Sequence, residues 1–529
     1  MNTERAVAEW REALGAAHVR TDAEALARAA ANVSGLTRRV IAVLAPGSTE
    51  EVAAAVRVAA AHGVPLWPYG TGRNWGLGSR LPVRDGAALV DLSRLDRVLA
   101  VDAVNGTATV EAGVTQGQLA RHLQALDLPL SVNVTGSHPS TSLIANALER
   151  GTGFHRARER MLSDLTVVLG DGRVIRTGYA RLGATRLAGL WRPGLGPELD
   201  GLFQQSGCGI VTSATVELLH ESPARAILSC SLDAGRDVVR FVDALAALAR
   251  GGVLHAALHF SSRARSTSVV GPLVYRHLVE SGDAPDAATE AIARRLAESA
   301  VTGPWSASCH LARTKLQVQE AFRQARRTLR RLGRAALITR ESFHALSRPP
   351  TKNARARASR ALLAAGQASW EHACGTPSEA ALYSIRWSLP GVPFVEEVEL
   401  DAGRAGTFFV VPAIPLTGAA LAEATAIVDR VSAAAGFIPY VTWNQVSRGA
   451  LEGVINAVFD REDLAAAARA RDWARDLARS LSTAGFPPYR LGIQDMDLAQ
   501  GDPETDRVID ELSRVLDPQG ILAPGRYAP

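Results

Sequence analysis

Cysteine is scarce. The 529 residues hold four, Cys208, Cys230, Cys309 and Cys374, and none forms a C-x-x-C pair or stands in zinc spacing with histidine. This excludes a cysteine-based metal centre and a thioredoxin-like redox motif, and buried free thiols in a reducing compartment are expected. Long apolar runs are missing too. No stretch approaches the roughly 18 uninterrupted residues of a membrane span, so none is expected. Met1 to Val19 lacks the basic-then-apolar pattern of a signal peptide, which makes the cytoplasm the expected location. Nor is there a concentrated block of positive charge. The formal net charge is +5, and the densest basic run, Thr351 to Arg360, leads straight into Ala361-Leu362-Leu363-Ala364-Ala365. That run reads as the solvated face of a helix, so no nucleic-acid partner is expected. Short tandem repeats are absent, which removes solenoids.

What is present is ordinary globular material. Hydrophobic residues make up 47% and charged residues 21%, and the length calls for at least two domains with real cores. Thr21 to Ala30 reads as a helix. Val40 to Ala45 reads as a strand. Ser48 then caps a helix that Gly63 stops. Val64 to Tyr69 is a second strand, followed by a glycine loop and a third strand at Ala88 to Leu92. Hairpins are expected around Val104-Asn105-Gly106 and Gly170-Asp171-Gly172, with a Thr115-capped helix between them. The texture changes near Pro223. From Ala224 to about Gly485, strand-like runs alternate with long Ala/Arg-rich helices, among them Asp283 to Ala300 and Lys315 to Leu332. Two strand-then-helix units, Ala226–Leu232 into Asp237–Ala249 and Phe408–Ile414 into Ala419–Ala435, suggest a second α+β domain with an antiparallel sheet. A helix from Pro503 to Leu516, capped by Asp502, lies in the last segment.

Four short elements carry candidate chemistry. The first is Gly70-Thr71-Gly72-Arg73-Asn74-Trp75-Gly76-Leu77-Gly78-Ser79, just after Tyr69. Its glycines permit positive φ and close approach to a ligand, and successive N–H groups in such a loop form an anion-binding concavity. It lacks the Gly-Lys-Ser/Thr end of a Walker loop, and no helix follows it as a Rossmann fingerprint requires. Alone, a tight surface turn remains open. The second is Asn133 to Ser142, rich in small hydroxyl residues, continuing through Asn146 to Gly151-Thr152-Gly153-Phe154. The third is Gln205-Ser206-Gly207-Cys208-Gly209-Ile210-Val211-Thr212, glycines opening a strand. The fourth is Tyr489-Arg490.

In order, these pieces resemble the vanillyl-alcohol oxidase / p-cresol methylhydroxylase family of flavoproteins. The likeness rests on Gly72 to Gly78, Val110 to Thr115, Asn146 to Gly151, Val167 to Gly172, Gly196 to Phe203, Gly209 to Thr212, Phe408-Phe409, Tyr489-Arg490 and Gly520 to Gly525. It spans roughly residues 40–220 and 395–529. The resemblance implies an α+β protein: a two-subdomain FAD-binding domain over residues 1–222, an α+β cap with an antiparallel sheet over 223–485, and a segment, 486–529, that returns to the FAD domain. It also implies a homodimer. The implied reaction is hydride transfer from a benzylic, allylic or alcohol carbon of a small molecule, phenolic and other aromatic ones included, to the flavin, with oxygen or an electron-transfer acceptor taking the electrons. Position by position, Tyr69, Gly70, Thr71, Gly72, Arg73, Asn74 and Trp75 hold the pyrophosphate side of FAD. Gly136, Ser137, His138, Ser142, Asn146, Gly151, Gly153, Phe154, Gly209, Ile210 and Val211 line the rest. Arg490 sits beside the flavin's pyrimidine edge or the substrate, where a fixed guanidinium favours developing negative charge. Tyr489 either stabilises a substrate phenolate or packs.

Departures from the family pattern sharpen the expectations. Phenol-oxidising relatives carry a tyrosine where this chain has Leu77, so the phenolate site keeps Tyr489 and Arg490 and loses its third member. A catalytic aspartate of some relatives is Ser137 here, and a serine is no base near neutral pH without an activating partner. Thr407 stands where covalent relatives attach FAD, so the flavin is expected to be non-covalent. His155 and His138 are either hydrogen-bonded loop histidines or acid/base groups. The expected substrate pocket holds Leu77, Phe154, Glu397, Thr407, Phe409 and Tyr489, although Glu396 and Glu397 taken alone read more readily as a solvated face. No metal site is expected. Besides oxidation, two readings stay open: a redox-neutral cyclisation or isomerisation on the same flavin, and a flavin-fold binding protein without turnover.

Overall fold

The structure, a computed structural model, describes residues 3–183, 186–347, 353–389 and 399–528. Local chemistry sets the elements. The Ser48 hydroxyl accepts the Glu51 N–H at 3.1 Å to start helix Thr49–His62, and Gly63 ends it at φ 63°, a left-handed conformation that costs glycine nothing. Thr115 and Asp502 cap helices Gln116–Ala125 and Pro503–Leu516 in the same way. The helix expected from Asp283 begins only at Ala287, because the Asp286 carboxylate caps there.

Three sheets organise the chain. A four-stranded sheet runs in the order Val19–Arg20, Val40–Leu44, Ala87–Asp91, Leu66–Tyr69; its last three strands are parallel. A five-stranded antiparallel sheet runs Val98–Asp102, Thr107–Glu111, Ile210–Glu217, Leu162–Val168, Val174–Arg176. Both expected hairpins lie in it. The eight-stranded sheet, antiparallel throughout, runs Gly333–Ile338, Ala224–Leu232, Trp305–Arg313, Leu258–Ser262, Tyr440–Gln445, Ala450–Asp460, Ala405–Pro415, Pro488–Arg490.

The two faces of this large sheet differ. Alternation sends Leu228, Cys309, Phe260, Trp443, Ile455 and Phe408 to one side, where they form a continuous core under helices Val238–Arg250, Lys315–Leu329, Gly418–Ala435 and Leu464–Thr483. Each fully buried aromatic such as Phe260 or Trp443 is worth on the order of 3–5 kcal/mol against alanine. The opposite face carries His310, His259, Asn444, Glu452, Asn456 and Thr407. It lies under helices Arg263–Glu280, Ala354–Ala373 and Tyr383–Trp387, and under Phe154 of the N-terminal half. A sheet that is apolar on one side and polar yet buried on the other has that second side available for a site.

The C-terminal residues touch two of these sheets. Pro488–Arg490 pairs with Val411 and Pro412 at the edge of the eight-stranded sheet. Further on, the Leu66 N–H donates to the Ile521 carbonyl at 2.7 Å and the Ala523 N–H donates to the Leu66 carbonyl at 2.8 Å, which adds a parallel bridge to the first sheet. Among the described residues no helix is long and apolar enough to cross a membrane.

Candidate functional site

The glycine loop leaves the end of strand Leu66–Tyr69 and folds back on itself, with the Asn74 carbonyl accepting the N–H groups of Leu77 and Ser79 at 3.2 and 2.9 Å. Gly72, Gly76 and Gly78 take φ of 73°, 74° and 113°. Gly70 is glycine for closeness: a Cβ there stands 2.7 Å from Ser142 Cβ. The contact matters because Ser142 ties three pieces together. Its N–H donates to Thr71 Oγ1 at 3.2 Å, its hydroxyl donates to the Ala112 carbonyl at 2.6 Å, and the same oxygen caps helix Leu143–Leu148 through the Ala145 N–H. Asp401 braces the far side of the loop, accepting from Val33 N–H, the Ser79 hydroxyl and Arg80 at 2.9, 2.7 and 3.0 Å.

Loop, helix and strand end line a long cleft, the concave, largely apolar shape of a cofactor site. Of the expected cofactor residues, Tyr69, Gly70, Thr71, Gly72, Arg73, Asn74, Ser142, Asn146, Gly209, Ile210, Val211 and Arg490 line it, and so does Leu77. Trp67, Leu81, Ile144 and Met496 add apolar wall, and Arg526 adds charge. Arg526 is held by Glu149 and lies 5.2 Å above the Trp67 ring. The cleft therefore joins a glycine-rich cradle of N–H groups to apolar walls with three arginines, Arg73, Arg490 and Arg526, on its lining, which fits a long ligand with an anionic middle and flat ends.

Arg490 stands where the cleft meets the eight-stranded sheet. Its Nη2 donates to Asn74 Oδ1 at 2.8 Å, while its buried Nε has no partner. Below it is Glu452, 4% exposed, whose carboxyl pKa is raised by burial against the opposing pull of Arg490. Glu452 accepts from Asn444 Nδ2 at 3.1 Å, Asn444 Oδ1 meets His259 Nδ1 at 2.8 Å, and His259 Nε2 meets the Phe154 carbonyl at 2.9 Å. These three side chains are direct cross-strand neighbours and make a polar row across the sheet. Tyr489 precedes Arg490; its carbonyl accepts from Gln205 Nε2 at 2.9 Å, and burial followed by the nearby Glu452 charge pushes its phenol well above the usual range.

Several expected site residues lie elsewhere, each for a visible reason. Trp75 packs with Val33, Leu382 and Tyr383, since the loop turns its bulkiest side chain away from the cleft. Ser137 accepts from Thr141 at 2.8 Å. His138 pins its loop to Glu379 at 2.6 Å and accepts the Ser140 N–H at 3.0 Å. Gly136 faces Ala381 and Phe154. Gly151 and Gly153 are glycines because a Cβ at either meets the amides of Asn146 and Asn133 at 2.2 and 2.3 Å. Thr407 is fully buried with its hydroxyl donating to the Ala457 carbonyl at 2.8 Å. Phe409 lies against Gly76 and, with Arg490, walls a small adjoining cavity. Glu396 and Glu397 lie outside the described residues.

His155 is displaced most. It belongs to a group of imidazoles gathered around Phe154, whose ring stacks 5.1 Å from both His310 and His372. His155 Nε2 is 3.2 Å from the Ala373 carbonyl, and burial pulls its pKa down to about 4. His372 also falls to about 4, and His310 lies well below the ordinary value, first by burial and then by its histidine neighbours. The rings are neutral near pH 7. Glu452 and Asn444 are not among the residues that the sequence singles out, although a lone carboxylate inside Leu451-Glu452-Gly453-Val454-Ile455 is a readable signal.

The cradle, the flanking cations and the buried polar sheet face define an FAD-binding protein. Residues 40–178 match the model of an FAD binding domain. The chain is 33% identical to 1'-carboxy-chondrochloren decarboxylase of Chondromyces crocatus, covering 100% of this chain and 98% of that one. It is 26% identical to the 4-cresol dehydrogenase [hydroxylating] flavoprotein subunit of Pseudomonas putida, over 90% and 86% of the two chains. The fold matches that of 4-ethylphenol oxidase from Gulosibacter chungangensis with a TM-score of 0.84 at 24% identity, over 99% and 97% of the chains. The chain belongs to the p-cresol methylhydroxylase-type family of FAD-dependent oxidoreductases, and its cofactor is FAD.

Proposed function

We propose that this enzyme oxidises a small aromatic molecule at a benzylic, allylic or alcohol carbon, with non-covalent FAD. Residues 1–222 and 486–529 hold the flavin and 223–485 cover it. The observation that carries the reading is Arg490, a guanidinium fixed by Asn74 with an unpartnered buried Nε, set between the glycine-lined cleft and the polar sheet face. When bound, FAD supplies a two-electron acceptor for hydride. The chain supplies the rest. Tyr489 and Arg490 hold a substrate phenolate, the planar guanidinium presenting its N–H donors to the oxygen. Glu452, with its raised pKa, takes up or returns a proton beside them. The neutral histidine group fixes Phe154 and keeps water from the polar face. Thr407 offers no imidazole or phenol for attachment, which supports the non-covalent assignment.

A second reading is favoured by the full-length 33% match to a protein named as a decarboxylase. In it the substrate also bears a carboxylate two carbons from the ring. The C–H pair leaves as hydride, the bonding pair of the C–CO2 bond becomes a C=C bond, and CO2 departs.

The visible spectrum before and after acid precipitation tests the core claim. Flavin bands released to the supernatant support it; colour retained in the pellet overturns the non-covalent assignment; a colourless protein that FAD does not reconstitute overturns the whole reading. Anaerobic bleaching by phenols, with CO2 measured alongside, separates oxidation from oxidative decarboxylation. Substrate turnover with no bleaching and no oxidant consumed favours redox-neutral chemistry. Arg490→Gln lowers the bleaching rate on the order of 10²–10³-fold. Re-oxidation by dioxygen, or its failure without an electron-transfer partner, identifies the acceptor, and sedimentation tests the expected homodimer.

A further inference from the structure

Arg265 is a buried cation that the chemistry above does not use. It stands in the first turn of helix Arg263–Glu280, over the polar face of the eight-stranded sheet. Its Nη1 donates to the Ser384 hydroxyl at 2.6 Å. Among the described residues no carboxylate lies within ion-pair range of it, and the Tyr440 phenol is the one titratable group whose charge acts on it. Burial draws its pKa down to about 10, while the residue keeps part of its surface accessible. Two other desolvated guanidiniums hold fuller sets of partners. Arg158 donates to the Asn133 carbonyl, Asn146 Oδ1 and Gln116 Oε1, and Arg526 pairs with Glu149. A desolvated cation left with one neutral hydroxyl partner costs stability unless an anion joins it.

Its position relates it to the site. Tyr440 pairs across the sheet with Asn456, and Asn456 with Phe409, the ring that lies on Gly76 of the glycine loop. Asn456 and Glu452 are four residues apart on one strand and face the same side, so the Tyr440 and Glu452 rows are ~13 Å apart. That is the reach of an aromatic ring with a short side chain.

We propose that Arg265, with Ser384 and Tyr440, binds a carboxylate carried by the substrate, so that the enzyme selects phenolic acids over neutral phenols. This rests on the reading of the polar face as the substrate chamber. It assigns the cation that holds the acid and is independent of whether that carboxylate is later lost as CO2.

The test is calorimetric titration of the FAD-loaded enzyme with 3-(4-hydroxyphenyl)propanoate and with 4-propylphenol. Wild type binds the acid on the order of 10- to 100-fold more tightly, the range of a charge-assisted bond. Arg265→Gln removes that preference and leaves 4-propylphenol binding unchanged; Arg265→Lys restores part of it. Because Arg265 has no anionic partner to lose, Arg265→Gln keeps its flavin and melts no lower than wild type. Equal affinity for the two ligands in wild type overturns the proposal and leaves the oxidase reading standing. Equal weakening of both ligands in Arg265→Gln, with a lowered melting temperature, assigns a structural role and also overturns it. If neither ligand binds wild type, the chamber reading fails together with the proposal.

Discussion

Lowering the pH from 7 to 5 strains one part of this molecule in a calculable way. His310 and His372 are each 4% exposed and stack on Phe154. Burial holds His372 at about 4 and His310 well below its ordinary value. Both folded values lie under the ~6.5 of a free imidazole. The contribution to stability is therefore intact above about pH 6.5 and drains away as the pH falls toward 4. The unfolded chain sets its size. A free imidazole gains roughly 2 kcal/mol of protonation free energy between pH 7 and 5, and a ring kept neutral by the fold gains almost none. The pair thus removes roughly 4 kcal/mol, a large share of the ~5–15 kcal/mol that holds a typical fold. His310 is the ring to replace, because its buried Nδ1 has no partner and phenylalanine preserves the stack. In urea titrations, His310→Phe should match wild type within about 1 kcal/mol at pH 7 and exceed it by roughly 2 kcal/mol at pH 5. Parallel pH profiles for the two proteins would refute the reasoning.

Three further outcomes are expected. Gly76→Ala places a methyl 2.1 Å from the Phe409 ring at φ 74°; overpacking and backbone strain together cost about 2–4 kcal/mol, read as a lower melting temperature and weaker flavin retention. Ser142→Ala removes a helix cap and the bond to Ala112 and costs about 1–2 kcal/mol, with flavin affinity falling more than global stability. Asp401→Asn leaves Arg80 without its carboxylate and costs about 2–3 kcal/mol, measured by chemical denaturation; wild-type stability would show that the Asp401 bonds brace nothing.

The parts of the structure legible in the sequence are those whose cause is local. Ser48, Thr115 and Asp502 announce helices because a cap acts within three residues, and Gly63 and the glycine loop announce backbone that only glycine adopts freely. The cleft was readable for the same reason, since its wall is largely that loop with Ser142 and Gly209 to Val211. What escaped is set by pairing across hundreds of residues. The Glu452–Asn444–His259 row exists only once three strands align in register. Gly151 and Gly153 look like ligand contacts in sequence, yet the asparagines they accommodate are identified only by the fold. His155 was expected near the chemistry because it follows Phe154 in a site-like loop; the strand bearing His310 and the helix bearing His372 drew that loop into a neutral aromatic assembly.

The bridge between Leu66 and Ile521–Ala523 has a consequence for how the enzyme is made. The strand that launches the glycine loop is completed by residues synthesised about 450 positions later. At ~5–20 residues per second that is a delay of roughly 20 to 90 seconds on the ribosome. Arg490 arrives equally late, long after the cradle it faces. The nascent chain thus exposes a half-built cofactor cleft for most of its synthesis, and tight flavin capture must wait for the tail. Chains that stall after the large sheet has formed, but before Ile521 emerges, should accumulate without colour.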